Sequence, residues 1–330
     1  MAKIALIDSG IDTEHFKANI SGGISIEGNS KGEPIAGDDL TDSRGHGSAC
    51  ASAILKECPQ SKIYVIKIFN DRLVSGYDSL KYALRHLSDV DVDIINLSLA
   101  LDTDSQKYRD IIDITKELHK QGKEIFWAVK NGETVNQLFR DRSFWSIGID
   151  DRIKDLYINE KSSHIRVNSL PYLHYKVNGW YGLFGASTSY ATAKTAGIMA
   201  NYIDTYKDKD IARSRFISDH KKLVKFEPVL YKDESIDYDN ELFHDLVEII
   251  KAYFDIDDDD TVLEYSLFSK EISGHRDFCY GLIRITERIF GISFEPYTDL
   301  SKLDFVSIYS LYKITAERLK KKDGCNEKIS

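Results

Sequence analysis

The stretch that most constrains the fold is "KIALIDSG", Lys3 to Gly10, an unbroken apolar run that ends in Asp-Ser-Gly. Such a run reads as a buried strand running into a tight turn. The rhythm it starts continues for two hundred residues. "SACASAILKE" reads as a small-residue helix and "SKIYVIKIF" as a strand. "GYDSLKYALRHLSD" has helical spacing at Leu80, Ala83, Leu84 and Leu87. Then come strand "VDIINLSLA", helix "YRDIIDITKELHKQG", strand "EIFWAV" and the long helix "YATAKTAGIMANYID". Strands alternating with helices predict an α/β fold, a parallel sheet with helices on both faces. Ligands of such sheets sit at the carboxyl ends of strands. Asp8, the segment after Leu99, and Asn131 therefore become the positions of interest.

Composition narrows the function. With 42% hydrophobic and 29% charged residues the 330-residue chain can bury a core. A net charge of −9 speaks against a general nucleic-acid or anionic-membrane binder. No run reaches the roughly 18 apolar residues of a membrane span, and the start is not a signal peptide. Four scattered Cys (Cys50, Cys58, Cys279, Cys325) make neither a disulfide framework nor a CxxC metal site. They read as reduced thiols in a cytoplasmic protein.

Composition shifts near Tyr206. Residues 206–239 are charged and lack a period, which predicts a linker or a partly packed connection between a domain at 1–205 and a helical domain at 240–330. Helical spacing returns at Leu246, Ile249 or Ile250, and Tyr253, then at Leu282, Ile285 and Ile289, then at Val306, Tyr309 and Tyr312 or Lys313. The acidic run "DIDDDD" from Asp255 lacks the Gly and terminal Glu of an EF-hand loop, so it is expected to be a solvated turn leading into a helix.

Four short motifs hold the groups a serine hydrolase needs: a nucleophile, a base, a carboxylate to orient the base, and oxyanion donors. "ALIDSGID" puts Asp8 at a strand end. "DSRGHGSACASAI" puts His46 between two Gly at the start of a helix, where the Gly are expected to let backbone approach a substrate. "FWAVKNGE" puts Asn131 just after a strand, with an amide to donate to an oxyanion. "GASTSYATAKTAG" supplies Ser187, Thr188 and Ser189 at a helix start, where backbone amides add positive potential. Local sequence does not choose among these hydroxyls.

The order Asp, His, Asn, Ser resembles the subtilisin-like serine proteases over roughly residues 3–203. The family's D-[ST]-G-[IV]-D reads DSGID at 8–12, and D-x-x-G-H-G-[TS] reads DSRGHGS at 42–48. I-N-x-S-[LF] reads INLSL at 95–99, and A-A-G-N-x-G reads AVKNGE at 128–133. The nucleophile motif, G-T-S-x-A-x-P-x-V-[AS]-G, counted back from Gly197, gives STSYATAKTAG at 187–197. The resemblance implies a subtilisin-like sheet, Ser189 as nucleophile, His46 as base, Asp8 as its orienting carboxylate and Asn131 as oxyanion donor. It also implies substrate contacts from Ser98, Leu99, Ala100, Ala128, Val129 and Lys130. No acidic calcium loop is recognisable in the sequence, so no metal and no cofactor are expected. Three departures stand out. Ser187 replaces a Gly and would add a Cβ to a strained turn. Ala193 replaces a Pro. Lys130 replaces a Gly beside the pocket for the residue before the cleaved bond. The expected activity is cytoplasmic serine endopeptidase, acting on one peptide or leader sequence as in modified-peptide biosynthesis, since neither signal nor prodomain precedes Lys3. The competing expectation is an inactive scaffold that binds peptides. Cys50, one helical turn past His46, reads as a small buried residue, or as a thiol sensitive to mercury.

Residues 240–318 more weakly resemble an acyl- or peptidyl-carrier domain. The count back from Phe290-Gly291-Ile292 puts Arg276 where the phosphopantetheine Ser belongs, with Ser273 nearby. That implies a degenerate carrier-like bundle for packing or for docking a protein partner, the alternative being an unrelated helical appendage.

Overall fold

The computed structural model describes residues 1–28, 33–69, 75–99, 107–130, 141–226, 240–272 and 278–326. The chain forms two compact units. The first is 1–169, 175–179 and 185–227, and the second is 170–174, 180–184 and 228–330.

The first unit is built on a nine-stranded sheet of order β3-β2-β4-β1-β5-β6-β7-β9-β8. Its strands are β1 (Lys3–Asp8), β2 (Ile20–Gly28), β3 (Pro34–Gly37), β4 (Lys62–Lys67), β5 (Ile94–Leu97), β6 (Glu124–Ala128), β7 (Trp145–Ile149), β8 (Leu156–Asn159) and β9 (His164–Val167). All pairings are parallel except the two edge pairs, β2–β3 and β8–β9. β1 pairs with β4 on one side and with β5 on the other. The strand order therefore reverses at β1, and Asp8 closes that strand at the switch point where such sheets place ligands.

Side chains alternate across β1. Ala5 and Ile7 join Leu80 and Leu84 of α2 (Tyr77–His86) and Ile111 and Leu118 of α3 (Lys107–Lys120) in one buried cluster. Helices α1 (His46–Glu57) and α4 (Thr188–Tyr206) pack on the sheet and on each other. Small residues let them close. A Cβ on Gly197 would fall 2.5 Å from the Ile54 carbonyl oxygen, so the helices meet backbone to backbone there.

Residues 206–239, expected to be a linker or a partly packed connection, are not an open linker throughout. Asp208 caps α5 (Lys209–His220) by accepting from Ile211 N at 2.9 Å. Ala212 and Phe216, one turn apart, are buried, and Phe216 meets Phe126 and Tyr202 edge-on. Two apolar residues are too few to show a period in sequence, yet they hold the helix down. Beyond it, Lys154 N donates to Val224 O and Phe226 N to Arg152 O.

The second unit joins α6 (Glu241–Phe254), α7 (Asp259–Glu264), α8 (Phe278–Phe290) and α9 (Ile308–Asn326) with strand residues of the paired β10 (Tyr172–Tyr175) and β11 (Tyr181–Phe184). Its core contains Leu246, Ile250, Leu282, Ile283, Phe294 and Phe305. Ile285 and Ile289, expected on the buried face of α8, are exposed. The helix instead turns Cys279, Leu282, Ile283 and Thr286 inward. Asp258 caps α7 from an exposed acidic turn. Arg276 and Ser273 lie outside the described residues, as does the rest of 227–239. Among the described residues no helix is long and apolar enough to cross a membrane.

Candidate active site

Among the residues singled out in sequence, Asp8, His46, Ser98 and Ser189 lie at the carboxyl edge of the sheet around β1. Asp8 is 1% exposed, and its Oδ1 lies 2.6 Å from His46 Nδ1 and accepts from Ser9 N at 2.7 Å. His46 is the first residue of α1, and the start of that helix is fixed by Asp42. Asp42 Oδ1 accepts from Arg44 N, Gly45 N and Ser9 Oγ, and its Oδ2 accepts from Ser48 N. Ser9 Oγ accepts in turn from Gly47 N at 3.0 Å. The Asp-Ser-Gly turn after β1 is thus bonded directly to the turn that presents the imidazole.

The two Gly around His46 serve this junction. Gly45 caps α1 at φ +76°, a region unfavourable for a side chain. A Cβ on Gly47 would stand 2.1 Å from the Gly10 carbonyl oxygen. The close approach expected toward a substrate is occupied at Gly47 by the protein's own backbone.

Burial, the largest single influence on His46, disfavours its imidazolium. The Asp8 charge and hydrogen bond, helped by Asp42, outweigh it against opposition from Lys176, and the imidazole pKa ends above its ordinary value. Cys50 is fully buried, and its Sγ, a carboxylate oxygen of Asp8 and a ring nitrogen of His46 lie within 4.8 Å of one another. Burial first, and then the Asp8 charge, push the Cys50 thiol well up. That shift disfavours its thiolate form. Cys58 and Cys279 are also buried and unbridged.

Ser189 arrives from α4. Its hydroxyl donates to the Ser98 carbonyl at 3.2 Å, and Ser98 Oγ, which accepts from Asn96 Nδ2, donates back to the Ser189 carbonyl at 3.2 Å. Ser98 directly follows β5, where Leu97 is paired with Ile7. The Ser98–Ser189 exchange consequently brings the head of α4 to the strand end beside Asp8. Ser187 is the N-cap, with its Oγ accepting from Tyr190 N at 3.3 Å. Ser189 is thus the second helical residue, among the backbone amides that a helix start leaves without internal partners. The strain expected at Ser187 is not there. Its φ of −148° suits any residue, and the left-handed position belongs to Ala186, at +50°.

The other expected contacts are placed as follows. Leu99 gives its carbonyl to Trp127 Nε1 at 3.0 Å, and Val129 donates its N–H to Ile147 O at 3.0 Å, which ties both to the fold. Ala128 ends β6 and is buried, while Lys130 is exposed. Asn131 and Ala100 lie outside the described residues. Sequence reading missed Ser9 and Asp42 as organisers of the site, although both stand inside quoted motifs. It also missed Lys176, which no motif marks.

A model of the subtilase family matches residues 1–156. Residues 1–156 are thus similar to a subtilase segment. Subtilisin of Bacillus pumilus is 28% identical over 120 residues, 34% of this chain and 42% of the relative. An intracellular serine protease of Paenibacillus polymyxa is 29% identical over 108 residues, 29% of this chain and 32% of the relative. The chain thus spans less than half the length of these curated relatives. The solved structure of sphericase superposes with a TM-score of 0.52 at 17% identity, covering 65% of this chain and 81% of that one. This likeness extends the subtilisin-like fold beyond the subtilase segment.

Proposed function

We propose that the chain is a serine endopeptidase. The observation that carries this reading is the 2.6 Å contact of His46 Nδ1 with buried Asp8, at the strand end that also receives Ser189. In this reading Ser189 Oγ attacks the peptide carbonyl while His46 Nε2 accepts its proton. The Oγ–C bond forms, and the carbonyl electrons move onto oxygen. The oxyanion is stabilised by the Ser189 backbone N–H at the head of α4 and, by its place in the sequence motif, by the Asn131 amide. Asp8 holds the imidazole with Nε2 facing the hydroxyl and offsets the imidazolium charge. His46 then protonates the leaving amine as the C–N bond breaks, and water hydrolyses the acyl-enzyme by the same route. The Ser189 hydroxyl rests on the Ser98 carbonyl and has to rotate to His46, in keeping with the loose hydrogen bonds of unliganded sites.

Restricted specificity suits the chain better than general degradation. Lys130 stands at a position where the family resemblance expects a bare Gly, so it narrows the pocket for the residue before the cleaved bond. Trimming of one peptide or leader sequence, with the second unit engaging a protein partner, is the narrower form of the proposal. Unbridged Cys50, Cys58 and Cys279 suit a cytoplasmic setting. Ordinary backbone at Ser187 removes the main reason to prefer an inactive scaffold.

A fluorophosphonate probe tests the reaction. Wild type should take one covalent label and Ser189→Ala none, with peptide turnover falling on the order of 10⁴-fold or more. An unlabelled wild type would refute the reading.

A further inference from the structure

Ser189 is braced from two sides. On one side Ser98 exchanges hydrogen bonds with it. The other side is held two residues earlier, by Ser169. Ser187 N donates to Ser169 Oγ at 2.9 Å, and that hydroxyl donates to the Ser187 carbonyl at 3.3 Å. Ala186 N donates to the Ser169 carbonyl at 2.7 Å. Three polar groups of the turn before α4 are thus bonded to one residue. Ser169 is 1% exposed, so its hydroxyl depends on these partners.

The brace is itself anchored. Val167, two residues before Ser169, closes β9 and is paired with Ile149 of β7. Asn168 N donates to the Asp155 carbonyl and Asn168 Nδ2 to the Ile153 carbonyl, both at 2.7 Å. Ser169 N donates to Asp151 Oδ1 at 3.3 Å. What this brace holds is a strained turn. The sequence motif expects a Gly at 187, yet the left-handed residue is Ala186, at φ 50°. A residue with a side chain persists in that region where its surroundings over-determine the backbone. The two peptide units that define φ and ψ of Ala186 each give their N–H to Ser169.

That turn sets the direction of the first residues of α4. Ser187 is the N-cap, and its carbonyl accepts from Ala191 N at 3.2 Å as well as from Ser169 Oγ. Ser189 stands two residues on, and its backbone N–H is an oxyanion donor in the endopeptidase reading. Such a donor works when it is aimed before the charge develops. We propose that Ser169 is a positioning residue, whose hydroxyl fixes the turn at 186–187 and through it the aim of the Ser189 N–H. It touches neither substrate nor reacting atoms. This rests on the endopeptidase reading and adds to it the origin of the oxyanion geometry.

The test is steady-state peptide hydrolysis by wild type, Ser169→Ala and Ser169→Cys. Each rate is divided by the amount of active enzyme, titrated to completion with the fluorophosphonate probe. In Ser169→Ala kcat should fall roughly tenfold to a hundredfold, since a donor is displaced and not deleted, while KM stays within about twofold. Ser169→Cys keeps the volume but bonds weakly. Its kcat should lie between the two, and it carries the test if Ser169→Ala fails to fold. A peptide aldehyde, to which the Ser189 hydroxyl adds to leave an oxygen in the oxyanion position, should lose affinity in step with kcat. The acid limb of kcat/KM should stay where it is, because Asp8 and His46 are untouched. A merely structural role would lower stability and the titrated fraction without moving kcat per active site. An unchanged kcat in the variants, a loss carried by KM, or an unmoved aldehyde affinity overturns this inference alone. A wild type that takes no label overturns the endopeptidase reading and this inference with it.

Discussion

His46 Nδ1 and Asp8 Oδ1 stand 2.6 Å apart, one ring nitrogen against one buried carboxylate oxygen, with Asp8 also taking the Ser9 amide. The pair sets the pH range of any chemistry at Ser189. A base has to be neutral to accept a proton, and Asp8 holds the His46 pKa above its ordinary 6.5 against the effect of burial. Activity should therefore begin to fall on acidification at a pH above that expected for a free imidazole. In Asp8→Asn the charge is removed while burial stays, so the His46 midpoint should drop. Titration of the His46 ring by NMR reads this directly, whatever turnover remains. A midpoint unmoved in Asp8→Asn would contradict the assignment.

Asp42 carries no chemistry, yet it satisfies three backbone N–H groups at the start of α1 and one hydroxyl. Asp42→Ala should destabilise the fold by roughly 2–3 kcal/mol, since buried donors lose their acceptor. Denaturant unfolding would measure it. Peptide turnover should fall as well, because His46 is the first residue of that helix.

Ser187 can be tested in both directions. Its side chain caps α4 through a long bond and its backbone is unstrained. Ser187→Gly should change stability by only a few tenths of a kcal/mol, and Ser187→Ala should cost about 1 kcal/mol. Neither should abolish fluorophosphonate labelling. Complete loss of labelling in Ser187→Gly would show that the hydroxyl, and not the cap, matters.

Lys130 bears on the residue before the cut. Lys130→Gly should widen the range of side chains accepted there, seen as a broader cleavage profile on that side. An unchanged profile would mean that the exposed Lys130 side chain stays in solvent throughout.

The legible parts of this molecule were those written locally. β1 announces itself because every residue from Ile4 to Asp8 is buried, so apolarity is continuous. His46 is visible because only Gly fits at 45 and 47, which leaves a recognisable signature. Lys176 was invisible because it lies against Gly45, far away in sequence, and a Lys in a polar turn looks like any other. Helix α5 was missed because Ala212 and Phe216 alone make its buried face. Ile285 and Ile289 misled because they satisfy a helical period, while the neighbouring residues Cys279, Leu282, Ile283 and Thr286 form the face that packs.

Gly197 against the Ile54 carbonyl has a consequence for how such a protein drifts. His46 opens one of the two helices that meet there and Ser189 stands second in the other, so the pair behaves like the jaws of a caliper whose pivot lies about two turns away. Wear at a pivot is read at the jaws. Small-residue positions with no chemistry of their own, Gly197 foremost, thus calibrate the reach between base and nucleophile. An inherited loss of rate can begin there while every reactive group remains in place.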